Sequence, residues 1–115
     1  MADPSVSVVI PNYNGAAFIG RTLAAVAAAT RRYAGHTEVV VVDDASTDDS
    51  VATIAGQHPD VVLVRHPVNR GFADAVHSGV ERASNQILII LNSDVEPAPD
   101  FIAPLIAPLA DDGVF

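Results

Sequence analysis

Four short segments hold most of the side chains able to do chemistry: Pro11-Asn12-Tyr13-Asn14-Gly15, Asp43-Asp44-Ala45-Ser46, Asn69-Arg70-Gly71 and Asn92-Ser93-Asp94. They bring a phenol, carboxylates, amides and a guanidinium. Adjacent carboxylates at Asp43 and Asp44 exceed what a turn requires. The pair is therefore a candidate for ligand contact, against the plainer role of helix capping in a solvated turn. Asp43 is also placed to brace its own loop. Arg70 stands just before a helical pattern, where a phosphate is favoured by the guanidinium and by free backbone N–H groups. A solvated loop arginine is its alternative role.

The rest of the composition narrows the chemistry. The 115 residues include no cysteine, which removes disulfides, zinc-thiolate sites and thiol nucleophiles. The formal net charge is −8, and all six basic residues are arginines. Such a chain repels a nucleic-acid backbone. An anionic ligand would need a metal ion, a helix N-terminus or a local arginine to offset that repulsion. His36, His58 and His66 show no metal-ligand spacing and read as loop residues, whereas His77 reads as solvent-facing.

The elements that must position these groups follow from hydrophobic spacing. Val6–Ile10, Val39–Val42, Val61–Val64 and Ile87–Leu91 are short, β-branched and nearly continuous, as strands buried on both faces of a parallel sheet are. A helix is predicted from about Ala16 to Arg32, with Ile19, Leu23, Val26 and Thr30 on one face. A shorter one covers about Asp48 to Gln57, with Ser46 as its N-cap. Phe72, Ala75, Val76, Gly79, Val80 and Ala83 form the apolar stripe of a third, and a weak last helix follows Pro99 or Asp100. The order β-α-β-α-β-α-β-(α) predicts one α/β domain over residues 1–115: an open, mostly parallel sheet with helices on both faces. Ligands of such sheets bind beyond the carboxyl ends of the strands. All four polar segments lie there.

In this order and spacing the segments resemble family 2 glycosyltransferases, which have the GT-A fold. Val6-Ser7-Val8-Val9-Ile10-Pro11-Asn12-Tyr13-Asn14 is similar to the family's opening, and Val39–Asp48 to its second motif. Asn69-Arg70-Gly71-Phe72-Ala73 resembles the third. Leu91-Asn92-Ser93-Asp94, with Pro99-Asp100-Phe101 after it, resembles the Asp-X-Asp region. The asparagine-rich form of the last two is similar to the rhamnosyltransferase subgroup.

The resemblance implies a nucleoside-diphosphate-sugar donor, a UDP- or dTDP-sugar. Pro11, Tyr13, Asp43, Asp44, Arg70, Asn92 and Ser93 then become donor-binding residues. Tyr13 would stack near the base, and Asp44 would accept a hydrogen bond from a ring N–H such as that of uracil. Asp94 becomes the ligand of Mg²⁺ or Mn²⁺, the cations suited to oxygen donors. Asn92 stands where the motif has its first aspartate and supplies a neutral oxygen instead. Val76 and His77 depart from the Arg or Asn frequent at those places. The family inverts the anomeric centre, so a carboxylate base would activate an acceptor hydroxyl. That base belongs to a segment later than the metal motif, and no convincing base motif follows Asp100. The expectation is therefore a truncated donor-binding region, inactive alone, serving the synthesis of cell wall, polysaccharide or another glycan. A sheet edge left open predicts homodimers. Cytoplasm is the expected location, with membrane association open for a longer protein.

Other classes fit less well. A receiver-like signalling module, the alternative non-catalytic reading, needs a strand-end lysine that this sequence lacks. A dinucleotide-binding domain would carry G-x-G-x-x-G where Pro11–Ala16 stands, and a Walker A loop again requires lysine. A sugar nucleotidyltransferase would have a Gly-rich, basic first loop.

Overall fold

A computed structural model describes residues 3–112, with the side chains of 110–112 outside the description. The strands are β1 (Val6–Asn12), β2 (Thr37–Asp43), β3 (Val62–Arg65) and β4 (Ile87–Ile90). The helices between and after them are α1 (Ile19–Arg32), α2 (Ser50–Gln57), α3 (Phe72–Arg82) and α4 (Ile102–Asp112). All strands are parallel, in the order β3-β2-β1-β4. Val8 pairs with Val39 on one side and with Ile89 on the other.

This order builds outward from β1 in two directions. The chain steps from β1 to β2 to β3, then returns to the far side of β1 for β4. Crossovers of constant hand that reverse direction place their helices on opposite faces. Accordingly, the first face joins Val6, Val8, Ile10, Val41, Ile87 and Ile89 to Ile19, Leu23 and Val26 of α1, Ile54 of α2 and Ile102 and Ile106 of α4. On the second face Val9, Val40 and Val42 meet Ala75 of α3. Every residue of β1 is buried, as a central strand covered on both faces requires. Fully burying an aliphatic side chain contributes about 1.5–3 kcal/mol, so this core is the main source of stability.

Two expectations need correction. The first concerns β4, which is an edge strand whose burial alternates, with Leu88 39% and Ile90 42% exposed. Only its first-face residues meet a helix. The second concerns the stripe of α3, of which only Ala75 and Gly79 are buried, while Phe72 and Val80 are exposed. The cause is how closely α3 seats. A Cβ on Gly79 would lie 2.3 Å from Cγ1 of Val9, so the helix rests on its small residues and the larger ones flank the contact. No helix among the described residues is long and apolar enough to cross a membrane.

Candidate functional site

The end of β1 and the end of β2 are stitched together before any ligand is considered. Asp43 is buried beneath the rim. Its Oδ1 accepts from Nδ2 of Asn12 at 3.0 Å and from the Ser46 hydroxyl at 2.7 Å, and its Oδ2 accepts from the Ser46 amide at 3.0 Å. Ser46 is thereby occupied in the turn and does not cap α2. The acceptor there is Asp48, whose Oδ1 takes the Ser50 amide at 2.9 Å while its Oδ2 takes the Ala16 amide at 3.0 Å. Hydrogen bonds from Ser50 first of all, and then from the Ala16 amide, hold the Asp48 carboxyl below its usual pKa despite some burial. Asn14 and Ala45 both adopt positive φ, 51° and 64°. The Asn14 amide donates to the Ser46 hydroxyl at 2.9 Å, and its side-chain oxygen accepts from the Thr47 amide at 2.8 Å. The two loops clasp each other.

Asp44, one residue on, is buried and gathers a different set of donors. His66 Nδ1 lies 2.8 Å from its Oδ1, the Arg70 amide donates to Oδ1 at 2.8 Å, and the Gly71 amide donates to Oδ2 at 2.8 Å. Its backbone carbonyl accepts from the Asn69 side chain at 3.2 Å. Gly71 can present its amide this way because it adopts a φ of 97°, which side chains rarely tolerate. Burial alone would raise the Asp44 pKa. The bonds from His66, Arg70 and Gly71 outweigh it, and the carboxyl is held below the usual value.

The β4 end is built otherwise. Asn92 and Asp94 are exposed, and no ion pair among the described residues involves Asp94. The loop is tied to α1 through its backbone: the Thr22 hydroxyl donates to the Ser93 carbonyl at 2.6 Å.

These loops surround one cavity of about 600 Å³, lined by Pro11, Tyr13, Asp44, Asn92, Ser93 and Asp94 among others. It sits beyond the carboxyl ends of the strands, where the strand order reverses between β1 and β4, the point at which open α/β sheets hold ligands. Two of the expected residues fall outside its lining. Asp43 lies below it, engaged with Asn12 and Ser46. The Arg70 guanidinium is about half exposed and lies 3.9 Å from Asp74, so the residue reaches the site only through its backbone amide. His77 is on the surface, 3.4 Å from Glu81.

The structure also adds residues that were not among the expected donor-binding set. Phe18 and Phe72 line the cavity with Tyr13, and the three rings are 44%, 62% and 52% exposed. Asn12 and Asn69 line it too. Asn12 is 2% exposed, and its Oδ1 has no hydrogen-bond partner among the described residues. Gly15 makes room for that oxygen, since a Cβ there would lie 2.2 Å from it. Among the described residues no group of three or more His, Asp or Glu could hold a metal ion.

A parallel sheet with a polar, aromatic-rimmed cavity at its switch point defines an open α/β protein with a ligand-sized site at the carboxyl ends of its strands. The Glycosyl transferase family 2 model matches residues 7–114, and the chain belongs to that family. It is 34% identical over 106 residues to an undecaprenyl-phosphate 4-deoxy-4-formamido-L-arabinose transferase of Shewanella sediminis, covering 89% of this chain and 32% of that protein. It resembles the mannosyltransferase PcManGT from Pyrobaculum calidifontis, solved in complex with GDP-Man and Mn²⁺, with a TM-score of 0.80 and 32% identity over 98% of this chain and 36% of that one. It also resembles glucosyl-3-phosphoglycerate synthase from Mycobacterium tuberculosis, solved with Mn²⁺, UDP and glucosyl-3-phosphoglycerate. There the TM-score is 0.77 and the identity 26%, over 96% of this chain and 42% of that one. The chain spans about a third to two-fifths of the length of the relatives it matches. The fold is that of GT-A glycosyltransferases.

Proposed function

We propose that the cavity binds the nucleoside diphosphate of a sugar donor, for transfer of the sugar with inversion to an acceptor hydroxyl. The observation that carries this is the convergence of Tyr13, Asp44 and Asp94 on one cavity at the switch point. Exposed aromatic faces on Tyr13, Phe18 and Phe72 suit a planar base. Asp44, held ionised by its own donors, is an acceptor for a ring N–H. Uracil, thymine and guanine carry such an N–H, whereas cytosine and adenine do not. This favours UDP-, dTDP- or GDP-sugars, and the relatives solved with GDP-Man and UDP lie within that set.

The diphosphate would extend toward Asn92, Ser93 and Asp94. Their donor set, one exposed carboxylate with an amide and a hydroxyl, fits Mg²⁺ or Mn²⁺. Such cations are commonly held through one or two carboxylates, with substrate phosphates completing the shell. Asp94 and Asn92 would hold the ion, whose chemistry there is to offset charge on the leaving diphosphate. Tyr13 and Asp44 orient the base, which fixes where the sugar–phosphate bond falls. Asp44 is unsuited to activate the acceptor, because a general base needs a pKa near the working pH and this one is lowered. The base is then a carboxylate elsewhere in the whole enzyme, and this chain alone would bind donor with little turnover.

Calorimetric titration with UDP, with and without Mn²⁺, tests the reading. Binding that Mn²⁺ strengthens is expected. Failure of UDP, dTDP and GDP alike to bind with metal present would overturn it.

A further inference from the structure

The buried imidazole of His66 does more than lower the Asp44 pKa, because it is the middle link of a continuous chain of polar contacts. Its Nδ1 meets Asp44 Oδ1 at 2.8 Å, and its Nε2 meets the Ser78 hydroxyl at 2.8 Å. The carboxylate only accepts, so Nδ1 carries the proton. Nε2 is then free to accept from Ser78. Both ring nitrogens are satisfied in the neutral tautomer.

The order Asp–His–Ser is also that of a nucleophilic relay, but the surroundings argue against that role. Ser78 lies within α3 and is not among the residues lining the rim cavity. Asp44, by contrast, does line it. The chain therefore points toward the carboxylate, with Ser78 as its anchor.

Counting acceptor positions shows what the anchor achieves. A carboxylate offers about four. His66 and the Arg70 amide fill two on Oδ1, and the Gly71 amide fills one on Oδ2. One position on Oδ2 is left for a cavity ligand. Without His66 the two amide bonds remain, one on each oxygen, and Oδ1 regains an open acceptor position. The carboxylate can then meet a ligand through either oxygen rather than through Oδ2 alone.

We propose that His66 is a positioning residue for base recognition: anchored by Ser78, it fixes the Asp44 carboxylate so that a single acceptor meets the ring N–H of the donor's base. This rests on the donor-binding reading above. The residue acts through Asp44 and touches no substrate itself.

The test compares UDP with CDP, whose base lacks the ring N–H, on the unmodified chain and on His66→Phe, His66→Asn and Ser78→Ala. Circular dichroism and thermal melting establish that each variant is folded. The unmodified chain is expected to prefer UDP. In His66→Phe, UDP affinity should fall by about tenfold or more while CDP affinity stays within about twofold, so that the preference collapses. His66→Asn places an amide N–H where Nδ1–H stood and should restore much of the preference. Ser78→Ala, which keeps the imidazole but frees it to swing, should fall between. A merely structural role would weaken both nucleotides alike, and that outcome overturns the proposal. So does wild-type preference in folded His66→Phe, or in Ser78→Ala if His66→Phe does not fold. If the unmodified chain binds none of UDP, dTDP, GDP and CDP with Mn²⁺ present, the donor-binding reading falls and this inference falls with it.

Discussion

Two carboxylates face the same cavity from opposite sides, and they are supported in opposite ways. Asp44 is buried and receives three hydrogen bonds to its side chain, from segments 22 to 27 residues away in sequence. Asp94 is exposed, and no ion pair among the described residues restrains it. The first arrangement is finished in the protein and offers a rigid acceptor. The second is incomplete without a charged partner. A neutral, planar base profits from a pre-set acceptor, because any group that fails to match leaves a buried polar atom unpaired. A diphosphate with its cation brings its own charge and ligands, so the protein need supply only one anchor.

The contrast predicts that the two residues separate cleanly in their effect on stability. Asp44→Ala leaves the His66 ring and the Arg70 and Gly71 amides without their acceptor. It should cost about 3–5 kcal/mol in urea unfolding. The same network sets the acid limb of stability. The folded Asp44 pKa is lowered, so its contribution is fully present above the unfolded value of about 3.9 and is lost as pH falls through the folded value. Unfolding midpoints should therefore decline below about pH 4 in the parent chain, and more gently in Asp44→Asn.

A smaller effect of opposite sign is expected beside it. Ala45 holds a φ of 64°, which costs an L-residue about 1–2 kcal/mol, while glycine forfeits about 0.5–1 kcal/mol in chain entropy. Ala45→Gly should raise stability by about 0.5–1 kcal/mol. Asp94→Ala should move it least, within about 0.5 kcal/mol. That substitution should nonetheless remove the Mn²⁺-dependent part of UDP affinity. A large loss of stability in Asp94→Ala, or none in Asp44→Ala, would erase the distinction.

The sheet was legible because its strands are short β-branched runs, and the cavity because the polar residues follow those runs. What spacing could not convey was packing at close range. Val76 and Val80 belong to the helical stripe by period, but the Gly79 contact decides which residues reach the sheet. Leu88 and Ile90 read as buried because nothing in a strand reveals whether its outer neighbour exists. His66 passed as a loop residue since periodicity is blind to partners 22 residues before and 12 after. A signal was available all the same. Asp43 pairs with Arg65 in the parallel register, which makes Asp44 and His66 the next neighbours along the same rim. The aromatic lining was hidden similarly: Phe72 counted toward a core stripe, yet it opens onto the cavity.

Gly79 has an effect beyond its own position. It is the residue next to Ser78, and its missing side chain is what lets α3 lie flat on Val9 and Val42. Adding even a methyl group would pry the helix upward like a wedge under a lever. The far arm of that lever is the Ser78 hydroxyl, and through His66 the displacement would reach Asp44. A change on the sheet's hidden underside, touching no ligand, would thus retune which base the cavity accepts.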